Sequence, residues 1–265
     1  MSGAPAQTLR LRQICLVAAD LAPAAEHLKV IFGLAECHRD PNVVAYGLEN
    51  VLFPVGTDFI EIVAPTRAGT AAGRFLERNK GRHGYMIIMD CDDPAARQKH
   101  CAAIGVRTAH LIRHESYLGV QLHPKDTGGA MLEFNHTDGG EDPLGPYAPA
   151  GPSWQPAIRA DVSRRLMAVE IECADPAGFA AHWGAILQRP VRALSDAGAR
   201  IELDAGAINF LRANRPEAAL AGVELQVANR ATVLRAAQAR GCVGANGEID
   251  VCGIGWRIVE DAQCD

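Results

Sequence analysis

Two glutamates stand where glutamate is costly. Glu61 lies in Phe59-Ile60-Glu61-Ile62-Val63 and Glu133 in Met131-Leu132-Glu133-Phe134, each inside an apolar run. A carboxylate carried into a core is expensive unless it is paired or liganded. Either each one faces water or meets an arginine, or the two belong to a shared polar site. Other groups of useful type lie nearby in sequence. His123 and Lys125 open a turn in His123-Pro124-Lys125-Asp126. They either support its geometry or offer the Lys125 ammonium to an anionic group such as a carboxylate or phosphate. His83, in Lys80-Gly81-Arg82-His83-Gly84, reads as a loop histidine ahead of a strand, solvated or available as a ligand. His38, Arg39 and Asn42, and later His114 and Tyr117, fall in connections that lie on the surface or rim a pocket.

The elements that must position these groups repeat along the chain. Four times an apolar strand runs into an acidic or amide residue, an alanine-rich helix, a glycine and short strands. The first copy is Gln13-Ile14-Cys15-Leu16-Val17-Ala18 into Asp20 and a helix from Ala22 to Phe32. The second is Met86-Ile87-Ile88-Met89 into Asp92-Asp93 and a helix from Pro94 to Ala103. The third is Ala168-Val169-Glu170-Ile171 into Asp175-Pro176 and a helix to Leu187. The fourth is Val223-Glu224-Leu225-Gln226-Val227 into Asn229 and a helix from Ala231 to Ala239. Asp and Asn at these positions accept bonds from the free N–H groups of a first helical turn. Pro94 and Pro176 fit that turn because they have no N–H to waste, and Gly105 and Gly241 fit the left-handed stop. The order is βαβββ, repeated. It predicts an α+β fold of four modules, with helices on one face of a curved mixed sheet.

Between the second and third copies the composition changes. Gly139-Gly140 is followed by Pro143, Pro146, Pro149, Pro152 and Pro156, a spacing that sustains neither a helix nor a central strand. The expected division is therefore a first domain over 1–136, an ordered linker over 137–165 and a second domain over 166–265, with Trp154 pinning the linker.

The bulk composition narrows the function classes. A chain of 265 residues that is 48% hydrophobic is long enough for one large domain, or for two with a core each. A net charge of −5 with no basic run excludes a nucleic-acid footprint. No apolar run approaches a membrane span, and Met1 to Thr8 lacks the apolar stretch of a signal peptide. The eight cysteines form no CxxC pair, and Cys15 and Cys252 sit in apolar runs where a reduced thiol behaves as a small hydrophobe. The expectation is a cytoplasmic protein with a small-molecule partner.

Two stretches carry a family resemblance. One is Phe53-Pro54-Val55-Gly56 through Phe59-Ile60-Glu61-Ile62-Val63-Ala64-Pro65, followed by Gly73-Arg74-Phe75-Leu76-Glu77-Arg78-Asn79-Lys80. The other is His123-Pro124-Lys125-Asp126-Thr127-Gly128-Gly129-Ala130-Met131-Leu132-Glu133. Both resemble the methylmalonyl-CoA epimerase and glyoxalase I branch of the vicinal-oxygen-chelate superfamily, over Leu9 to Phe134. The C-terminal half matches in module pattern alone.

The resemblance implies two glyoxalase-like domains, each a cup made by two modules. The modules pair within one chain or across a homodimer. It also implies one divalent metal ion (Zn, Ni, Mn, Fe or Co), held by one residue from the first strand and one from the last strand of each module. Carried over, the ligands are Gln13, Glu61 and Glu133; the fourth position, usually histidine, is Met86. A thioether is a poor ligand for a hard ion, and His83 is the substitute nearest in sequence. The equivalent C-terminal positions, Ala168, Asn209, Gly222 and Arg257, hold no metal set.

Two carboxylates converging in a cup repel, so one keeps its proton near neutral pH and an acid and a base stand side by side. The implied activity is an isomerase or lyase acting beside a carbonyl of a small acid, ketone or thioester. Glu133 and Glu61 exchange the proton, and Lys125, His123, Arg39 and Tyr117 contact substrate. The alternative is a metal-free binding or sequestering protein of the bleomycin-resistance type.

Overall fold

The computed structural model describes residues 8–79, 81, 83–195, 197–215, 217–245 and 247–260. The first module starts with β1 (Leu9–Val17), buried along its whole length as a strand covered on both faces must be. Helix α1 (Leu21–Phe32) follows, and Asp20 caps it by accepting from the Ala22 amide at 3.1 Å. β2 (Leu48–Val55) and β3 (Asp58–Pro65) form a hairpin, and helix α2 (Ala71–Asn79) comes after it. The second module holds β4 (Gly84–Cys91), α3 (Pro94–Ala103), β5 (Thr108–His114), β6 (Tyr117–Leu122), the one-turn α4 (Pro124–Thr127) and β7 (Met131–Thr137). The third holds β8 (Ser163–Cys173), α5 (Pro176–Leu187), β9 (Val191–Ala193), β10 (Ala199–Glu202) and β11 (Ala207–Arg212). The fourth holds β12 (Ala219–Val227), α6 (Arg230–Ala239), β13 (Ile249–Val251) and β14 (Ile254–Glu260).

These strands make two seven-stranded curved mixed sheets, ordered β2-β3-β1-β4-β7-β6-β5 and β13-β14-β12-β8-β11-β10-β9. Both sheets follow one plan. The first strands of two modules lie antiparallel at the centre, β1 with β4 and β12 with β8. Each is flanked in parallel by the last strand of its own module. Asp93 and Asn229 cap their helices through the Ala96 and Thr232 amides at 2.8 Å, whereas Asp175 takes the capping position of α5 without a side-chain bond to it. In the first and fourth modules the strand expected after the helix shrinks to a single bridge, His38 to Leu52 and Val243 to Ile249. In the first, Pro41 ends it at once by opening a 3-10 turn with no N–H to give to a ladder.

The halves do not keep separate cores. One hydrophobic cluster runs from α1 and the helix side of β1 through to β12 and β14. Phe32 lies against Trp256 with ring centroids 4.4 Å apart, and Trp183 donates to the Thr127 carbonyl at 2.8 Å. Leu11 donates to the Ala205 carbonyl at 2.9 Å, and Asp204 to that of Leu9 at 2.8 Å. At the start of β4, Gly84 meets the Leu220 carbonyl so closely that a Cβ has no room. The connection between β7 and β8 covers 138–162 and carries 3-10 turns at Ala148–Ala150 and Gln155–Ala157. Among the described residues, no helix is long and apolar enough to cross a membrane.

Candidate functional site

A bulge in β1 starts the site. The strand pairs Leu11 with Met89 and Gln13 with Ile88, which leaves Arg12 as an extra residue. A bulge breaks the alternation of a strand. Leu9, Leu11, Ile14 and Leu16 all join the helix-side core, so Arg12 and Gln13 both turn to the opposite, inner face of the sheet. That face has two apolar ends. Cys15, Val17, Val63, Met86 and Ile88 meet Ala72 of α2 at one end, and Leu52 and Phe59 meet Tyr147, Ala150 and Trp154 of the linker at the other.

Between these ends lies a continuous chain of polar side chains. Glu61 on β3 accepts from Asn50 Nδ2 at 2.7 Å and from Gln13 Nε2 at 2.8 Å. Gln13 Oε1 accepts from the Tyr147 hydroxyl at 2.9 Å. The Tyr147 oxygen accepts in turn from Asn135 Nδ2 at 3.2 Å, and that same amide faces the Tyr117 oxygen at 3.2 Å and Glu133 Oε1 at 3.5 Å. Glu133 on β7 also accepts from the Tyr117 hydroxyl at 2.7 Å and from Gln121 Nε2 at 2.9 Å. The two glutamates thus stand at opposite ends of one relay, Glu61–Gln13–Tyr147–Asn135–Glu133. Gly119 makes room for it, since a Cβ there would sit 3.1 Å from both Glu133 Oε1 and the Tyr117 oxygen.

Burial sets the electrostatics. It pushes the Glu133 carboxyl above the usual carboxylate range, against the bonds from Gln121, Tyr117 and Asn135. It pushes Glu61 up as well, with a further push from the Glu133 charge, against bonds from Asn50 and Cys15. The Cys15 thiol is driven well up by burial and then by Glu61, so it is a neutral donor rather than a thiolate. Tyr117 and Tyr147 are held as neutral phenols by burial.

The linker is part of the site. Arg12 is fully buried, and its guanidinium lies over the rings of Tyr147 at 4.8 Å, Phe59 at 5.2 Å and Trp154 at 5.6 Å. Its Nη1 donates to the Thr57 carbonyl and, at 3.1 Å, to that of Pro143; Nε and Nη2 have no partner. Arg10 pairs with Asp90 at 2.5 Å and donates to the Gly140 carbonyl at 2.8 Å. Trp154, expected to pin the linker, is fully buried against Phe59 with centroids 4.9 Å apart.

The other residues singled out from the sequence lie elsewhere, apart from Tyr117. His83 packs its ring against Gly253 of the C-terminal half, where the Asp250 charge acts on it. Its Nδ1 is buried without a partner, and burial lowers its pKa. Arg39 is exposed and pairs with Glu36 at 2.6 Å. His123 caps α4 by accepting from the Lys125 amide at 3.2 Å, and the Lys125 side chain is exposed. The loop before β2 reaches the site indirectly, because the Asp40 amide donates to Asn50 Oδ1 at 2.8 Å. On the second sheet, Arg257 pairs with Glu170 at 3.0 Å and Arg200 donates to Asn209 Oδ1 at 2.9 Å, so those positions satisfy one another.

No family model matches this chain, and no curated protein matches it. Among solved structures, a hypothetical protein from Staphylococcus aureus is similar at a TM-score of 0.65 and 11% identity, over 95% of this chain and 99% of its own. A triple mutant of 4-hydroxymandelate synthase from Streptomyces coelicolor gives 0.61 and 12%, over 89% of this chain and 76% of its own. The fold is that of paired vicinal-oxygen-chelate domains. The methylmalonyl-CoA epimerase of Mycobacterium tuberculosis covers 48% of this chain and 87% of its own, at 23% identity and a TM-score of 0.43.

In a vicinal-oxygen-chelate sheet the first and last strands of two modules meet on the inner face, and Gln13, Glu61, Met86 and Glu133 stand on those four strands here. The donor set does not fit a divalent ion. Both oxygens of each carboxylate already accept hydrogen bonds, and Gln13 turns its NH2 to Glu61 and gives its oxygen to Tyr147. Met86 adds a thioether among apolar neighbours. Among the described residues, no three His, Cys, Asp or Glu side chains cluster in a way that would hold a metal.

Sequence reasoning missed Arg12, Asn50, Gln121, Asn135 and Tyr147. A signal for two of them, Gln121 and Asn135, was present. Tyr117, Gly119 and Gln121 alternate with apolar residues, as do Glu133 and Asn135, and that period marks one polar strand face.

Proposed function

We propose that the N-terminal cup is an active site that moves a proton beside a carbonyl, in an isomerase or lyase reaction of a small acid, ketone or thioester. Glu61 and Glu133 are the two proton-handling carboxyls. What supports this reading is one observation: two carboxyls, both pushed up by burial, are joined by a hydrogen-bonded relay on the inner face of one sheet. Raised carboxyls are suited to this work, because a proton must be both held and released near neutral pH. Tyr117 and Gln121 orient Glu133, and Asn50 orients Glu61.

The apolar end of the same face favours a second reading. Cys15, Met86, Ile88 and Met131 meet α2 there, and flexible sulfur side chains suit the capture of an apolar ligand without turnover. Proton–deuterium exchange separates the two. A panel of α-acidic carbonyl compounds is incubated with the protein in heavy water and followed by NMR. The enzyme reading expects exchange with one of them and a loss of about 10²–10⁴-fold in Glu133→Gln. Unchanged exchange in that variant refutes it, and tight stoichiometric binding with no exchange supports sequestration.

A further inference from the structure

Tyr147 comes from the linker, outside all four modules, yet its hydroxyl is the middle member of the hydrogen-bonded chain that joins the two carboxyls. We propose that Tyr147 is the electrophile of this site, donating its hydroxyl hydrogen bond to the substrate's carbonyl oxygen as that oxygen becomes an enolate. This rests on the proton-transfer reading above.

Three observations carry the assignment. The first is what each phenol bonds to. The Tyr117 hydroxyl is spent on the Glu133 carboxylate at 2.7 Å, a charge-assisted bond that is costly to redirect. The Tyr147 hydroxyl is spent on a neutral amide oxygen, Gln13 Oε1, at 2.9 Å. An enolate oxygen is a stronger acceptor than an amide, so the Tyr147 bond is the one a substrate can take over. The second is the electrostatic setting. The Arg12 guanidinium lies 4.8 Å from the centre of the Tyr147 ring with its Nε and Nη2 unpartnered; although Asp90 and Asp58 also act on it, its charge reaches Tyr147 and favours negative charge on the phenol side of the cup. The third is rigidity. Tyr147 is 2% exposed, lies nearly parallel to Phe59 with centroids 4.7 Å apart, and has its oxygen fixed by Asn135 Nδ2 at 3.2 Å. Such a donor needs little reorganisation when charge develops.

The step balances without a metal or an oxidant. One carboxylate takes the proton from the α-carbon, and the C–H electron pair becomes the C=C bond. The carbonyl π pair moves to oxygen, where the Tyr147 O–H donates a hydrogen bond and keeps its proton. The second carboxyl returns a proton to carbon. Arg12 is then a positioning residue, acting through the ring of Tyr147.

The test compares the wild type, Tyr147→Phe and a protein with 2,3-difluorotyrosine at 147, using the carbonyl compound that the wild type exchanges in heavy water. The expected result for Tyr147→Phe is a fall of about 10²-fold in kcat with KM changed less than threefold, since the bond strengthens only as the enolate forms. The fluorinated side chain keeps the shape and makes the phenol a better donor, so its rate must differ from that of the wild type. A kcat within threefold of wild type in Tyr147→Phe overturns the assignment while leaving the carboxylate reading intact. If that variant does not fold, a fluorotyrosine rate equal to the wild-type rate overturns it. A wild type that exchanges no compound removes the function reading and this inference with it.

Discussion

Asp58 offers a way to measure how the first half is joined to the second. It stands at the tip of the β2–β3 hairpin, 7% exposed, and its Oδ2 accepts from the Leu166 amide of β8 at 3.3 Å. Burial pushes its carboxyl from 3.8 up to about 7, despite the nearby Arg12 charge. An acid whose pKa rises on folding holds a proton in the folded state that the unfolded state has released. Stability from this group is therefore full below pH 3.8, falls as pH rises to about 7, and is flat above. The slope is roughly 1.4 kcal/mol per pH unit, so the loss across the window is on the order of 4 kcal/mol. Asp58→Asn keeps the acceptor oxygen and removes the charge. It should leave stability at pH 4 nearly unchanged and raise it at pH 8 by about 2–4 kcal/mol. Guanidinium unfolding of both proteins at pH 4, 5, 6, 7 and 8 gives the difference directly. Glu61 and Glu133 contribute the same sign in both proteins and cancel in it. Parallel profiles for the two proteins would refute the reasoning.

Three further outcomes are expected. Met86→His places an imidazole on the strand between Gln13 and Glu133, and it should create a site taking about one equivalent of Zn2+ or Co2+; equal uptake by the wild type, measured by elemental analysis after gel filtration, contradicts the fit argument. Gly119→Ala brings a methyl group 3.1 Å from Glu133 Oε1 and the Tyr117 oxygen, so it should cut proton exchange at least about tenfold while costing no more than about 1–3 kcal/mol of stability. Trp154→Ala removes the buried ring that holds the linker on Phe59 and Arg12, and should cost about 3–5 kcal/mol in denaturant unfolding; a cost below about 1 kcal/mol means the linker is not held there.

The repeat made the fold legible. Helix starts at Asp20, Asp93 and Asn229, and left-handed stops at Gly105 and Gly241, are local chemistry, and local chemistry is written in adjacent residues. Glu61 and Glu133 were legible for a different reason: charge inside an apolar run asks for a partner. The rest depended on distance. Tyr147 meets Gln13 across a large stretch of chain, and its linker reads as a proline-rich spacer, so nothing local says that its phenol returns to the first strand. Arg12 was hidden by the bulge, which abolishes the alternation by which strand faces are read. The merged core was equally illegible, because the apolar faces that meet across the halves look like the inside of either half alone.

That merged core bears on how the chain can be divided. Cutting between residues 138 and 162 would strip α1 of Trp256 and expose the aromatic and aliphatic surface that β12 and β14 now cover. The first half by itself would therefore present to water a face that is dry in the whole chain. The C-terminal sheet, with its own partly buried carboxyl at Glu170, thus serves as the cover under which the first half keeps its apolar surface dry.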